Sequence, residues 1–242
     1  MQSFAYYMPT RVISGRNCVP EHGDQLKALG THALIVTGKS SALNGALDDM
    51  LSALERNGQN ATVFDRITPN PTVASVREGI ALLKSAGADF VVAIGGGSPM
   101  DAAKAIATLA VQERTDEEIF AGGYAAEALP MAHVPTTAGT GSEVTPYAIL
   151  TNDAKETKTS ITSPAMFPRL AFLDGKYMEH LPVRSTVNTA LDAFSHAVEG
   201  MLSRNATPLS DALAKESLRI LYPLLQKTAG PLTLDERDTL LY

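Results

Sequence analysis

The chain has 242 residues, 45% hydrophobic and 19% charged, with a formal net charge of −6 and one cysteine, a composition that can bury a large core as one big domain or two smaller ones. The acidic balance and the lack of any Lys/Arg run exclude the electrostatic footprint of a nucleic-acid or anionic-membrane binder, so small-molecule chemistry is expected, with no nucleic acid and no membrane as partner. Cys18 alone allows no intrachain disulfide or thiolate cluster, and with no leader-like N-terminus the expectation is a cytoplasmic protein.

Strand and helix signals alternate from residue 32 onward. "HALIVTG" (32–38) is a short apolar run ending on glycine, and "LDDMLSALERNGQN" is an amphipathic helix stopped at Asn57-Gly58. "ATVFDRI" (61–67) predicts a second strand; after the turn "TPNPT", helical spacing runs from Val73 to Ser85 and stops at Gly87. "FVVAIGG" (90–96) reads as a buried strand, 99–111 as a helix, and "PMAHVPT" (130–136) as a further strand after a loop containing Gly122-Gly123. This order predicts an α/β fold, a parallel sheet with helices on both faces. Past Pro182 the strand signal vanishes and 185–203 and 209–227 read as helices, which places a boundary near 178–184 and divides the chain into 1–180 and 181–242.

Three stretches carry chemistry. In "AIGGGSPMDAAKAIA" (93–107), three glycines follow a buried strand, with Ser98 expected as N-cap, Pro99 at N1 and Asp101 at the capping-box position. Free N–H groups at such a helix start favour an anion; the bland alternative is a well-capped turn. In "HVPTTAGTGSEVTPY" (133–147), Thr136, Thr137, Thr140 and Ser142 crowd one short loop after a strand. Hydroxyls and amides at a sheet's carboxyl edge suit phosphate, ribose or a nicotinamide amide, or they only satisfy their own backbone. In "LDAFSHAVEG" (191–200), Asp192 and His196 stand four residues apart on one helix face. They could share a metal ion or make an ordinary helix-surface contact. His22, His32, His133 and His180 are scattered and read as structural or surface histidines.

Together, "GGGSPMDAAKAIA", "PTTAGTGSEVT", "LDAFSHAVEG" and "TPNPT" resemble the signatures of the iron-containing (group III) alcohol dehydrogenase family, in order and over essentially the whole chain. The resemblance implies an N-terminal dinucleotide-binding α/β domain of the dehydroquinate-synthase-like type, then the first helices of an all-helical metal-binding domain. It implies pyrophosphate contacts from the turn of Gly95, Gly96, Gly97 and Ser98. Thr136, Thr137 and Thr140 would line the phosphate and nicotinamide side. Asn70 and Lys158 fall at further cofactor positions, and Asp192 and His196 would be metal ligands. The implied activity is hydride transfer between NAD or NADP and a small alcohol or aldehyde, with Fe²⁺ (or Zn²⁺) as Lewis acid, in a homo-oligomer such as a dimer. The alternatives are a nucleotide-binding protein without activity and a maleylacetate-reductase-like enzyme.

The family's other two metal ligands are histidines on later helices, whereas no histidine follows His196. Thr233 and Glu236 predict a capped helix start, and Leu240, Leu241 and Tyr242 would then be an apolar end with nothing to pack against. The expectation is therefore a fragment or a truncated chain with an incomplete helical domain. Glu143, an acid near the second loop, is read as structural, since the metal already polarises the oxygen. At "VTGKS" (36–40), Gly38 stands where some NAD-using relatives carry an acid; Lys39 and Ser40 could contact a 2′-phosphate, a lean toward NADP.

Overall fold

The computed structural model describes residues 3–39, 43–152, 155–227 and 231–242, so Ser40 lies outside the described residues. In chain order the first half contains β1 (Arg11–Ser14), α1 (Cys18–His22), β2 (His32–Thr37), α2 (Ala46–Asn57), β3 (Asn60–Phe64), α3 (Val73–Ala86), β4 (Phe90–Gly95) and α4 (Gly97–Leu109). Then come α5 (Asp116–Ile119), β5 (Met131–Pro135), β6 (Tyr147–Asn152), β7 (Thr157–Thr162), β8 (Leu170–Leu173), α6 (Val183–Leu202), α7 (Pro208–Gln226) and α8 (Leu234–Leu241). Local chemistry sets several of these ends. Thr72 caps α3 by accepting from Ser75 N, and Gly87, at φ 67°, ends it in a left-handed turn that costs glycine nothing. Gly58, at φ 71°, ends α2 in the same way.

Six strands form one parallel sheet in the order β1-β8-β5-β4-β2-β3. Because side chains alternate along a strand, Leu34 and Val36 of β2 join the layer of α3 and α4, while Ala33 and Ile35 join that of α1 and α2. The sheet is thus apolar on both faces, as a parallel sheet between helices must be. From β2 the chain first passes outward to β3 and then returns to β4 on the other side. The order therefore reverses between β2 and β4, and a crevice opens at their carboxyl ends. A separate antiparallel hairpin, β6–β7, packs beside α4.

Sequence periodicity did not announce β1, β8 or the hairpin. It also misplaced the end of the chain: Leu240 and Leu241 are buried at 6% and 7% exposure, in a cluster with Leu173, Met178, Ala190, Leu221 and Leu224. Only Tyr242 of the expected unpacked end is exposed. Helix α8 is pinned by Asp238, whose Oδ1 accepts from Gly175 N at 2.9 Å, by Arg237, which donates to Met178 O, and by Arg16, which pairs with Asp235 and Asp238. No helix among the described residues is long and apolar enough to cross a membrane.

His133, in the middle of β5, is fully buried, and neither ring nitrogen has a hydrogen-bond partner among the described residues. Burial, and then the nearby Lys104 ammonium, hold its pKa well below the usual value of 6.5. Below about pH 6.5 the unfolded chain takes up a proton that the folded chain refuses, so this residue makes stability fall as pH falls. His133→Leu is expected to raise the unfolding free energy by about 1–3 kcal/mol at pH 7. The gap should widen by about 1 kcal/mol at pH 5.5. Urea unfolding at the two pH values checks both; a destabilised variant, or a gap independent of pH, would show that His133 has partners.

Candidate cofactor and metal site

The first loop is a strand end that turns straight into a helix. Gly95 closes β4 at φ 148°, and Gly96, extended at φ −81° and ψ −163°, is the N-cap of α4 with no side-chain cap. This corrects the expectation that Ser98 caps the helix and Pro99 opens it. Gly97 is the first helical residue, and Ser98 turns sideways, its Oγ accepting from Asn70 N at 3.2 Å. Pro99 carries no N–H, and among the described residues no side chain caps the Gly97 and Ser98 amides, the arrangement an anion completes.

The reason for glycine is steric. A Cβ on Gly96 would stand 2.8 Å from Thr137 Oγ1, and one on Gly97 would stand 3.0 Å from Thr140 Cγ2. The two loops that the sequence singled out thus lie against each other across this glycine pair. Thr136 N also donates to Gly95 O at 2.9 Å. Gly38 follows β2, beside β4, where Thr37 Oγ1 donates to Ile94 O at 2.8 Å. A Cβ on Gly38 would stand 3.0 Å from Ile67 O, so the turn has little room for a larger residue. Lys39, next along, is exposed.

Asn70 adopts a left-handed φ of 60°, and its carbonyl accepts from Thr151 Oγ1 at 3.2 Å on the hairpin. Lys158 is directly opposite Thr151 in the β6–β7 register. Facing residues of an antiparallel pair share a face, so the exposed Lys158 sits on the side of Asn70 and Ser98.

Beneath these loops lies a polar knot that composition and spacing did not reveal. Lys104, on the inner side of α4 and fully buried, donates to Ser142 Oγ and Tyr147 O, both at 2.8 Å. Asp101 accepts from Ser142 Oγ at 2.7 Å and from Ile149 N at 3.1 Å, and lies 4.0 Å from Lys104 Nζ. Its carboxylate ties the helix to the second loop and the hairpin rather than closing a capping box. Burial lowers the Lys104 pKa to about 8 against the opposing pull of Asp101 and Glu143. Burial likewise raises the Asp101 and Glu143 carboxyls above their ordinary range. Glu143 is buried and within electrostatic reach of Lys104.

The second loop continues onto α6. Gly139, at φ 115°, lies so close to this helix that a Cβ would overlap the Thr189 carbonyl oxygen and stand 3.2 Å from its carbon. Two turns further on, His196 Nδ1 is 3.1 Å from Gly139 O, and Nε2 is 3.8 Å from Asp192 Oδ1. Both side chains are about half exposed, 54% and 50%. An imidazole nitrogen and a carboxylate oxygen at this separation form a borderline donor pair suited to a divalent metal. No group of three or more His, Cys, Asp or Glu among the described residues is placed to hold a metal.

A parallel α/β sheet with a glycine turn at its switch point is joined here to a helix that presents a carboxylate and an imidazole. The profile of the iron-containing alcohol dehydrogenase family matches residues 9–175, and that of the Fe-containing alcohol dehydrogenase C-terminal family matches 186–242. The chain belongs to the iron-containing alcohol dehydrogenase family. It is 31% identical to the NAD-dependent methanol dehydrogenase of Bacillus methanolicus over 98% of this chain and 63% of that protein. The structure of an iron-containing alcohol dehydrogenase from Thermotoga maritima superposes with a TM-score of 0.92 at 41% identity, covering 99% of this chain and 66% of that one. A sulfoacetaldehyde reductase from Bifidobacterium kashiwanohense, in complex with NAD⁺, superposes with a TM-score of 0.87 at 30% identity, covering 100% and 65%. The chain thus spans a little under two thirds of these relatives.

Proposed function

We propose that this chain is the nucleotide-binding part, with the first metal-donor helix, of a nicotinamide-dependent oxidoreductase acting on a small alcohol or aldehyde. The observation that carries the reading is the contact of one loop with both partners: Thr137 and Thr140 close on Gly96 and Gly97, and Gly139 between them meets His196. Such a loop brings a nicotinamide and a metal-held substrate oxygen into one crevice. When both are bound, the dinucleotide accepts or gives a hydride and a divalent metal, Fe²⁺ by family, acts as Lewis acid toward the substrate oxygen.

The chain's own residues divide the work. The Gly97 and Ser98 amides at the start of α4 bind pyrophosphate through their N–H groups and the helix dipole. Thr136, Thr137 and Thr140 orient the nicotinamide side, and Asn70, Ser98 and Lys158 line the hairpin side of the same crevice. Asp192 and His196 Nε2 hold the metal, while Asp101, Lys104 and Ser142 keep the threonine loop in place.

Alcohol-dependent reduction of NAD⁺ or NADP⁺ by Fe²⁺- or Zn²⁺-loaded protein tests the activity, and nucleotide binding without turnover would instead mark a binding protein. The chain supplies only two donors, so Zn²⁺ binding is expected to be weak, and His196→Ala and Asp192→Asn are each expected to abolish it, read by equilibrium dialysis. Retained uptake would place the metal elsewhere. Coenzyme choice is read at Gly38 and Lys39. With glycine rather than an acid at position 38 and the exposed Lys39 beside it, NADPH should bind about two- to fivefold more tightly than NADH, the range of an exposed charge pair. An NADH preference in parallel titrations would overturn that assignment.

A further inference from the structure

We propose that the buried Lys104 ammonium gates dinucleotide binding: through Ser142 it holds Thr140 in its binding orientation, and it balances Asp101 beneath the phosphate site, so affinity is lost as Lys104 gives up its proton. The proposal rests on the function just given and adds a pH-dependent control to that site. Lys104 Nζ donates to Ser142 Oγ at 2.8 Å, and because an ammonium only donates, the serine hydroxyl hands its own proton to Asp101 Oδ1 at 2.7 Å. The same serine's backbone N–H donates to Thr140 Oγ1 at 3.3 Å. With Oγ1 already accepting inside the loop, the Thr140 O–H is left to donate to a phosphate or amide oxygen. Its methyl group meanwhile lies over Gly97 at the start of α4. Lys104 reaches the ligand face only through Ser142, so it is a positioning residue.

The charges act in the same direction. Asp101 Oδ1 lies 4.0 Å from Lys104 Nζ, about one turn into the helix whose start is to receive the phosphate. The second loop turns the buried Glu143 toward Lys104, and β5 contributes His133, which burial keeps neutral. From the hairpin, Lys104 meets the Tyr147 carbonyl, to which it donates at 2.8 Å. Among these groups Lys104 is the one cation. Without its proton, Asp101 becomes an uncompensated negative charge in a water-poor interior, where its repulsion of an incoming pyrophosphate is little screened. Burial lowers the Lys104 pKa to about 8, which sets this loss just above neutrality. Affinity is therefore full where Lys104 is charged with or without ligand, and it falls as pH rises through that value. Reciprocally, a bound dinucleotide holds the proton on Lys104 by the same factor.

NADH affinity of the 242-residue chain is measured by fluorescence between pH 7 and pH 9.5, and the Lys104 side-chain ¹⁵N resonance is followed over the same range with and without saturating NADH. Affinity is expected to fall about tenfold or more, with the midpoint of the Lys104 resonance, and NADH should move that midpoint up by about one pH unit. A flat profile, or a midpoint away from that of Lys104, would overturn the gate while leaving the dinucleotide reading intact. No NADH binding at any pH would overturn both. Lys104→Met, its fold checked by the amide spectrum, should bind NADH about tenfold or more weakly at pH 7 with no further loss up to pH 9.5; wild-type affinity or a retained pH dependence would overturn the role of Lys104. Ser142→Ala breaks the relay and keeps the Lys104–Asp101 pair, and it should weaken NADH binding about threefold or more; unchanged binding would overturn the link through Ser142. If neither variant folds, the wild-type affinity profile and the Lys104 resonance decide.

Discussion

Gly96→Val is expected to lower dinucleotide affinity roughly 30- to 150-fold, the equivalent of about 2–3 kcal/mol for one or two lost charge-assisted hydrogen bonds, without unfolding the chain. The N-cap backbone at Gly96 passes beneath Thr137, where a Cβ would sit 2.8 Å from Oγ1. Thr137 must therefore move, and the two valine methyls would occupy space that the first-turn amides of α4 leave open for an anion. Gly96 is only half-buried and lies at the rim of the sheet, so the apolar layers on its two faces are untouched. Fluorescence titration with NADH checks the effect, beside thermal unfolding without ligand. A wild-type Kd would show that the phosphate does not rest there.

Asp101→Ala is expected to destabilise the fold by about 3–5 kcal/mol, because it breaks a buried pair by removing one partner. It leaves the fully buried Lys104 without its nearest counter-charge, and Ile149 N and Ser142 Oγ without their acceptor. The pH dependence gives a second reading. Burial already holds Lys104 at about 8, and Asp101 is the first group opposing that shift, so its loss lowers the value further. A lysine depressed in the folded state is most costly while it is still charged, and the cost is relieved as pH rises between its folded and unfolded pKa values. The deficit of the variant should accordingly be largest where the wild-type lysine is charged in both states, and the variant should gain stability with rising pH from a lower pH than the wild type does. Urea unfolding at pH 7 and pH 9 reads both; a loss under about 1 kcal/mol, the usual worth of an exposed pair, would show that the knot does not hold the loop. Because Ser142 and the hairpin hang on Asp101, dinucleotide affinity should fall as well.

Buried, strongly apolar elements were legible in the sequence: β2 and β4 are almost entirely buried, and their runs of valine, isoleucine and alanine show it. β1 and β8 have four residues each, too few for a pattern, and β1 is largely exposed at the sheet edge. The hairpin strands, YAILTN and TKTSIT, are half polar, and their pairing is with each other across a turn rather than with the main sheet. Packing of Leu240 and Leu241 depends on Leu173, Ala190 and Leu221, far away in sequence, and no local signal could have supplied that pocket.

For the candidate site, the glycine turn, the threonine loop and the Asp192–His196 pair were all visible in the sequence as residue types and spacings. Their assignment to local roles was less secure. Ser98 has the preferred chemistry of an N-cap, yet Gly96 takes that place because the chain must pass under Thr137, and Ser98 goes to Asn70 instead. Asp101 stands at a capping-box spacing but serves a tertiary network. Gly139 was one of two glycines in a hydroxyl-rich loop, and nothing in its neighbours says that its carbonyl reaches a histidine 57 residues on. Spacing shows what one element can do; which groups meet depends on the crossing of elements.

The most direct measurement is titration of the 242-residue chain with NADH and NADPH, following amide shifts residue by residue. Saturable binding with the largest shifts at Gly96–Ser98, Thr136–Thr140 and Lys158, extending to His196, is the expected result. No saturable binding, or shifts centred at the amino end of the sheet around Arg11 and Arg169, would contradict the placement of a nicotinamide dinucleotide between the glycine turn and the metal-donor helix.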